Sequence, residues 1–156
     1  MADIINEIDE IEEAEQLAED FEDEIPTPLV MADEKSPEEV EAAAKKIAQV
    51  LYNKKARDIQ LLYVNKQTVL AYYFVISHGT SNTKVKALSD EVVYQMGLDG
   101  VECIRTEGYD SASWILLDFG SIIVHVFQRD TREYFKLEKL WADAEKIELD
   151  LSEKAE

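Results

Sequence analysis

Apolar residues recur at intervals of three and four over 37–53, where Val40, Ala44, Ile47 and Val50/Leu51 form one stripe, and this spacing predicts an amphipathic helix. Its start is marked twice. Ser36 can cap it, with Glu39 three residues on to close a capping box, and Pro37 suits the first helical position. The period then shortens. Asp58-Ile59-Gln60-Leu61-Leu62-Tyr63-Val64 is rich in strand formers. After a polar turn at Asn65-Lys66-Gln67 comes Tyr72-Tyr73-Phe74-Val75-Ile76-Ser77, apolar on both faces as an interior strand covered by helices would be. Beyond His78-Gly79-Thr80-Ser81-Asn82 the helical period returns at Val85, Leu88, Val92 and Met96, and Gly97 stands where such a helix would end. Val101-Glu102-Cys103-Ile104-Arg105 reads as a third strand, and the runs led by Trp114 and Ile122 as a fourth and fifth. The connection Asp118-Phe119-Gly120-Ser121 is short and contains glycine, as a hairpin requires. An aromatic helix over 132–141 follows. The predicted order αββαβββα is an α/β fold, a mixed sheet of about five strands with packed helices.

Charge divides the chain. Residues 1–35 hold 14 acids and one base, a net of −13 that leaves −5 of the total −18 for everything after it. We therefore expect an acidic N-terminal extension over 1–35, a domain over 36–145 and an acidic C-terminal tail over 146–156. Within the extension Ile4, Ile8, Ile11, Ala14, Leu17/Ala18 and Phe21 keep helical spacing. Repulsion between neighbouring acids weakens that helix, so it is expected to be disordered or marginally helical, and Pro26 and Pro28 interrupt it. An acidic domain gains nothing from phosphate neutralisation, which argues against direct binding to DNA and for a basic protein partner. The chain has one cysteine, Cys103, within an apolar strand pattern, which fits a buried structural thiol in a reducing compartment. Neither a signal peptide nor a membrane-length apolar run is visible, so the expected location is cytoplasmic.

Tests for catalysis fail one by one. The loop from Ser77 to Lys84 lies where a phosphate could be held, yet it lacks the spaced glycines and the Gly-Lys-Ser/Thr ending of a nucleotide loop. Two histidines, one cysteine and scattered carboxylates do not make a metal site by spacing. His125, between Val124 and Val126, has no nucleophile turn to serve. The expectation is a protein with no cofactor, and not an enzyme.

Strand alternation puts Trp114, Leu116 and Asp118 on one face of the sheet, and Ile115, Leu117 and Phe119 on the other. Read as an edge strand on a partly open face, the first set joins Tyr134-Phe135 to make the apolar centre of an interface, with Glu107, Asp118 and Glu138 as an acidic rim. The same residues also permit Trp114 and Trp141 to be core side chains.

These residues carry a resemblance. Glu107-Gly108 ahead of the Trp114 strand, Asp118-Phe119-Gly120, Val124-His125-Val126-Phe127 and Phe135-Lys136-Leu137-Glu138-Lys139-Leu140-Trp141 resemble the Iojap family of ribosomal silencing factors. Tyr73-Phe74-Val75-Ile76 and Gly79-Thr80-Ser81 extend the likeness, which covers roughly 36–144. It implies a nucleotidyltransferase-like fold without that activity, since Gly120-Ser121 is followed only by Asp130 and the catalytic carboxylate pair is missing. It also implies binding to large-subunit ribosomal protein fourteen on the joining face of the large ribosomal subunit, which sterically excludes the small subunit and represses translation. Carried over by residue, Trp114 matches the interface tryptophan, and Phe135 falls where the family commonly has tyrosine. Ala71 departs from the acidic residue usual before Y-F-V-I. Two alternatives stay open: a degenerate nucleotidyltransferase-like protein that binds a nucleotide, and a homodimeric adaptor whose aromatic face is its self-association surface.

Overall fold

The computed structural model describes residues 35–152; the expected N-terminal extension, but for Lys35, lies outside the described residues. The helix α1 (Pro37–Asn53) begins as the sequence predicts, with the Glu39 N–H donating to Ser36 Oγ at 3.3 Å. Then come β1 (Arg57–Tyr63), β2 (Tyr73–Gly79) and α2 (Asn82–Leu98), the last capped by Ser81, whose Oγ accepts from the Lys84 N–H. The hairpin is β4 (Trp114–Asp118) and β5 (Ile122–Gln128), preceded by β3 (Arg105–Glu107). The short helices α3 (Arg129–Phe135) and α4 (Leu137–Leu140) lead to a final strand, β6 (Glu145–Ile147).

One mixed sheet runs β3-β4-β5-β2-β1-β6. Its central pair, β2 and β5, is parallel, and every other pair is antiparallel. The mixed α/β reading holds, and four details of it change. The strand expected over 101–105 forms later, at Arg105–Glu107, because Val101 and Cys103 turn inward against the core. β4 is consequently an interior strand and not an edge. The single aromatic helix expected over 132–141 is two helices, broken where Lys136 takes φ 50°. A sixth strand, Glu145–Ile147, crosses the expected boundary at 145/146 and pairs with β1; beyond it Leu149 and Leu151 pack against the core.

The sheet has two apolar faces of different make. On one, α1 and α2 pack Ala44, Ile47, Leu51, Val85, Leu88 and Val92 onto Leu61, Val75, Ile115, Leu117, Val124 and Val126. On the other, Leu62, Phe74, Ile76, Trp114, Leu116, Ile123 and Phe127 meet Leu137, with Phe135, Trp141 and Ala144 at the margin. The predicted alternation along β4 is therefore observed. The face bearing Trp114 is not open, because α3, α4 and the turn after them lie over it.

Candidate functional site

That second face is built from rings in contact. Trp114 stacks on Phe127 with centroids 4.7 Å apart, and Phe135 sits 5.6 Å from the indole. Phe135 meets Tyr134 edge-on at 4.9 Å, which brings the series to the surface. In the other direction His125 stands edge-on to Phe74 at 4.8 Å, and Phe74 edge-on to Trp141 at 4.9 Å. Offset and edge-to-face geometries of this kind are favoured by the ring quadrupole.

His125 is the polar member of the stack. Trp114 Nε1 donates to His125 Nδ1 at 3.1 Å, so the proton of the neutral ring is on Nε2. The imidazole is 1% exposed, and burial alone lowers its pKa to about 3. It is therefore an uncharged acceptor that fixes the indole.

A second polar device holds α3 and α4 in place. Arg132, 5% exposed, donates from Nε to Glu138 Oε1 at 2.5 Å and from Nη1 to the Arg57 carbonyl oxygen at 3.3 Å. Nη1 also lies 2.9 Å from His78 Nδ1, which must accept because a guanidinium has no lone pair to offer. Asp58 Oδ2 is 3.7 Å from Nη2. Burial first, and Arg132 second, depress the His78 pKa. One arginine thus joins both short helices to β1 and β2.

The six expected partner-binding residues separate into three groups. Tyr134 is 61% exposed and Phe135 half-buried, and Leu140, not among the six, is 72% exposed beside them in sequence on α4. Trp114 and Leu116 are 3% and 4% exposed and lie beneath the helices. Trp114 is thus a buried support, not an exposed anchor, because Phe127, His125 and Phe135 pack around its indole. Glu107 and Asp118 sit at the β3–β4 edge, where both flank Arg105 at 3.6 and 3.8 Å, and Asp118 Oδ1 accepts the Gly120 N–H at 2.8 Å. Glu138 of the expected rim is spent on Arg132. Ala71, the departure noted above, is buried in the aromatic core, so a carboxylate there would lose its hydration.

Sequence reasoning did not find Arg132 or the His125–Trp114 bond. Arg132 reaches a carbonyl 75 residues away in the chain, and no local pattern signals that. Among the described residues, no group of three or more His, Cys, Asp and Glu could hold a metal ion, and no helix is long and apolar enough to cross a membrane.

The family described as "Ribosomal silencing factor during starvation" matches residues 37–156. The chain belongs to this family. It is 42% identical over 98 residues to the ribosomal silencing factor RsfS of Bacillus subtilis, spanning 63% of this chain and 83% of that protein. It is 33% identical over 100 residues to the mouse protein named mitochondrial assembly of ribosomal large subunit protein 1, spanning 61% of this chain and 43% of that one. Among solved structures, one from Bacillus halodurans superposes with a TM-score of 0.61 at 35% identity, covering 72% of this chain and 99% of that chain. One from Chromobacterium violaceum gives 0.63 at 30% identity, covering 76% and 95%.

Proposed function

We propose that this protein is a ribosomal silencing factor that binds the large ribosomal subunit through the α3–α4 surface and keeps the small subunit from joining it. The observation that supports the reading most strongly is the family match over 37–156. The name of the mouse relative, a large-subunit assembly protein, agrees with that partner. The acting surface is Tyr134 and Phe135, carried on the aromatic stack, with the exposed Leu140 of α4. Exposed aromatic and aliphatic side chains on a rigid support are suited to the centre of an interface, since little side-chain freedom is lost on binding. The partner at that surface is large-subunit ribosomal protein fourteen, a basic protein, which suits an acidic domain. The mechanism is occupancy of a shared face, and no covalent step is needed. A second copy of this chain could compete for the same rings, in which case a dimer would be the inactive store.

The test is co-sedimentation with purified large subunits, followed by addition of small subunits. Tyr134→Ala combined with Leu140→Ser is expected to weaken binding by roughly tenfold or more and to restore subunit joining. Trp114→Ala is expected to weaken binding too, but together with a loss of folding stability, since it acts through Phe135. Undiminished binding by the Tyr134/Leu140 variant would remove α3–α4 from the interface. A wild-type protein that does not sediment with large subunits would remove the function itself.

A further inference from the structure

The guanidinium of Arg132 is held by three acceptors of different chemistry. Nε donates to the Glu138 carboxylate, and the two hydrogens of Nη1 go to the Arg57 carbonyl and to His78 Nδ1. Nη2 has no hydrogen-bond acceptor among the described residues, since Asp58 Oδ2 at 3.7 Å is beyond that reach. No spare acceptor therefore stands by to replace one that is lost. The carbonyl does not titrate, and the imidazole is the acceptor whose ordinary titration lies nearest neutrality. His78 differs in this respect from the sealed His125, because it is only half-buried and open to protons from solvent.

A proton on Nδ1 removes the lone pair that Arg132 uses and sets two cations 2.9 Å apart. Arg132 is 5% exposed, so its head cannot retreat into water unless α3 moves with it. Glu138 of α4 is tied through the same guanidinium, and α4 is released together with α3. The surroundings of the ring do not compensate. From β1 it meets Asp58 and the backbone of its cross-strand partner Arg57, from β5 the apolar Phe127, and from α3 Arg129, Arg132 and Glu133. Burial first, then Arg132 and Arg129, oppose a charged ring, whereas Asp58 and Glu133, which favour it, are both exposed.

We infer that His78 is the positioning residue of the α3–α4 surface and holds it only while its ring is neutral, so that acid loosens both short helices and releases the surface they carry. Tyr134 and Phe135 follow Arg132 within one helical turn, and the Lys136 N–H that closes α3 donates to the Arg132 carbonyl at 2.9 Å. A shift of Arg132 is thereby passed directly to the exposed rings. The direction of the response is fixed. With its folded pKa below the ordinary 6.5, native His78 is neutral above pH 6.5 and its hold on Arg132 is complete there; the hold is lost as pH falls below that value. The consequence for subunit binding rests on the function proposed above, whereas the loosening of α3 and α4 does not.

The test measures amide hydrogen exchange and large-subunit co-sedimentation on the full chain at about pH 7.5 and about pH 5, for wild type, His78→Asn and His78→Lys. Asparagine offers an acceptor that takes up no proton in this range, and lysine is a permanent cation. On acidification the wild-type Lys136 amide is expected to lose roughly tenfold in protection relative to the amides of α2, with a similar loss in affinity for large subunits. His78→Asn should show no such pH dependence, and His78→Lys should be loosened already at the higher pH. His125 is present in all three proteins, so its own titration cancels from the comparison. Equal pH dependence of protection in wild type and His78→Asn would overturn the role of His78, as would an α3 in His78→Lys as well protected as in wild type at the higher pH. Wild type that fails to sediment with large subunits at either pH would count against the proposed function, and the exchange comparison would still decide whether His78 positions α3 and α4.

Discussion

The two faces of the sheet are both buried and are built for different ends. Under α1 and α2 the core is aliphatic, with Ala44, Ile47, Leu51, Leu61, Val75, Val85 and Val124 all inaccessible to solvent. Under α3 and α4 it is aromatic and contains hydrogen-bonded polar groups, namely Trp114 with His125 and Arg132 with Glu138. An aliphatic core derives its stability from burial and from close packing. A buried polar network adds less net stability and more positional definition, because each donor and acceptor accepts few geometries. The first face holds the domain together, and the second sets where Tyr134, Phe135 and Leu140 stand.

That contrast can be broken most forcefully from the aliphatic side. Leu51→Ala should cost about 2–5 kcal/mol in urea unfolding, yet the fraction that remains folded should bind large subunits with unchanged affinity. On the other side, Arg132→Met leaves Glu138 and the Arg57 carbonyl without their donor; removing one partner of a buried pair typically costs about 3–5 kcal/mol. Here the lower end is expected, since Asp58 is largely exposed, and binding should fall along with stability. Trp114→Phe keeps most of the ring and deletes the bond to His125, for an expected loss of about 1–2 kcal/mol.

The pH response sharpens the comparison further. His125 has a folded pKa of about 3 against an ordinary 6.5, so below pH 6.5 the unfolded chain takes up a proton that the native ring refuses. Its contribution to stability is complete above pH 6.5 and is lost as pH falls towards 3, at up to about 1.4 kcal/mol per pH unit. His125→Gln should flatten the unfolding free energy across that window relative to wild type. The smallest effect is at the surface: Tyr134→Ala should change stability by no more than about 0.5 kcal/mol while weakening subunit binding.

The elements that the sequence makes legible are those whose burial follows a local period. α1 announces itself through Ser36, Pro37 and Glu39, α2 through its stripe from Val85 to Met96, and the hairpin through Asp118-Phe119-Gly120-Ser121. β3 is placed four residues early and β6 escapes notice because Arg105–Glu107 and Glu145–Ile147 are short, mostly polar edge strands whose place is set by pairing with the backbones of β4 and β1. The break at Lys136 is hidden for a different reason: 132–141 keeps a helical rhythm through a residue at positive φ. For the candidate site, Tyr134 and Phe135 were readable as a surface pair. The burial of Trp114 was not, because it depends on α3 and α4 folding back across the sheet to bring Phe135 and Leu137 over it.

Lys136 bears on quality control as well as geometry. By dividing the segment it leaves helices of 7 and 4 residues, both far below the length at which a helix persists in water. Neither can take shape ahead of the sheet that supports it. A nascent, damaged or misassembled copy would accordingly present Tyr134, Phe135 and Leu140 in no fixed arrangement; under the function proposed above, the competence to silence a ribosome would itself be a certificate that the domain has folded.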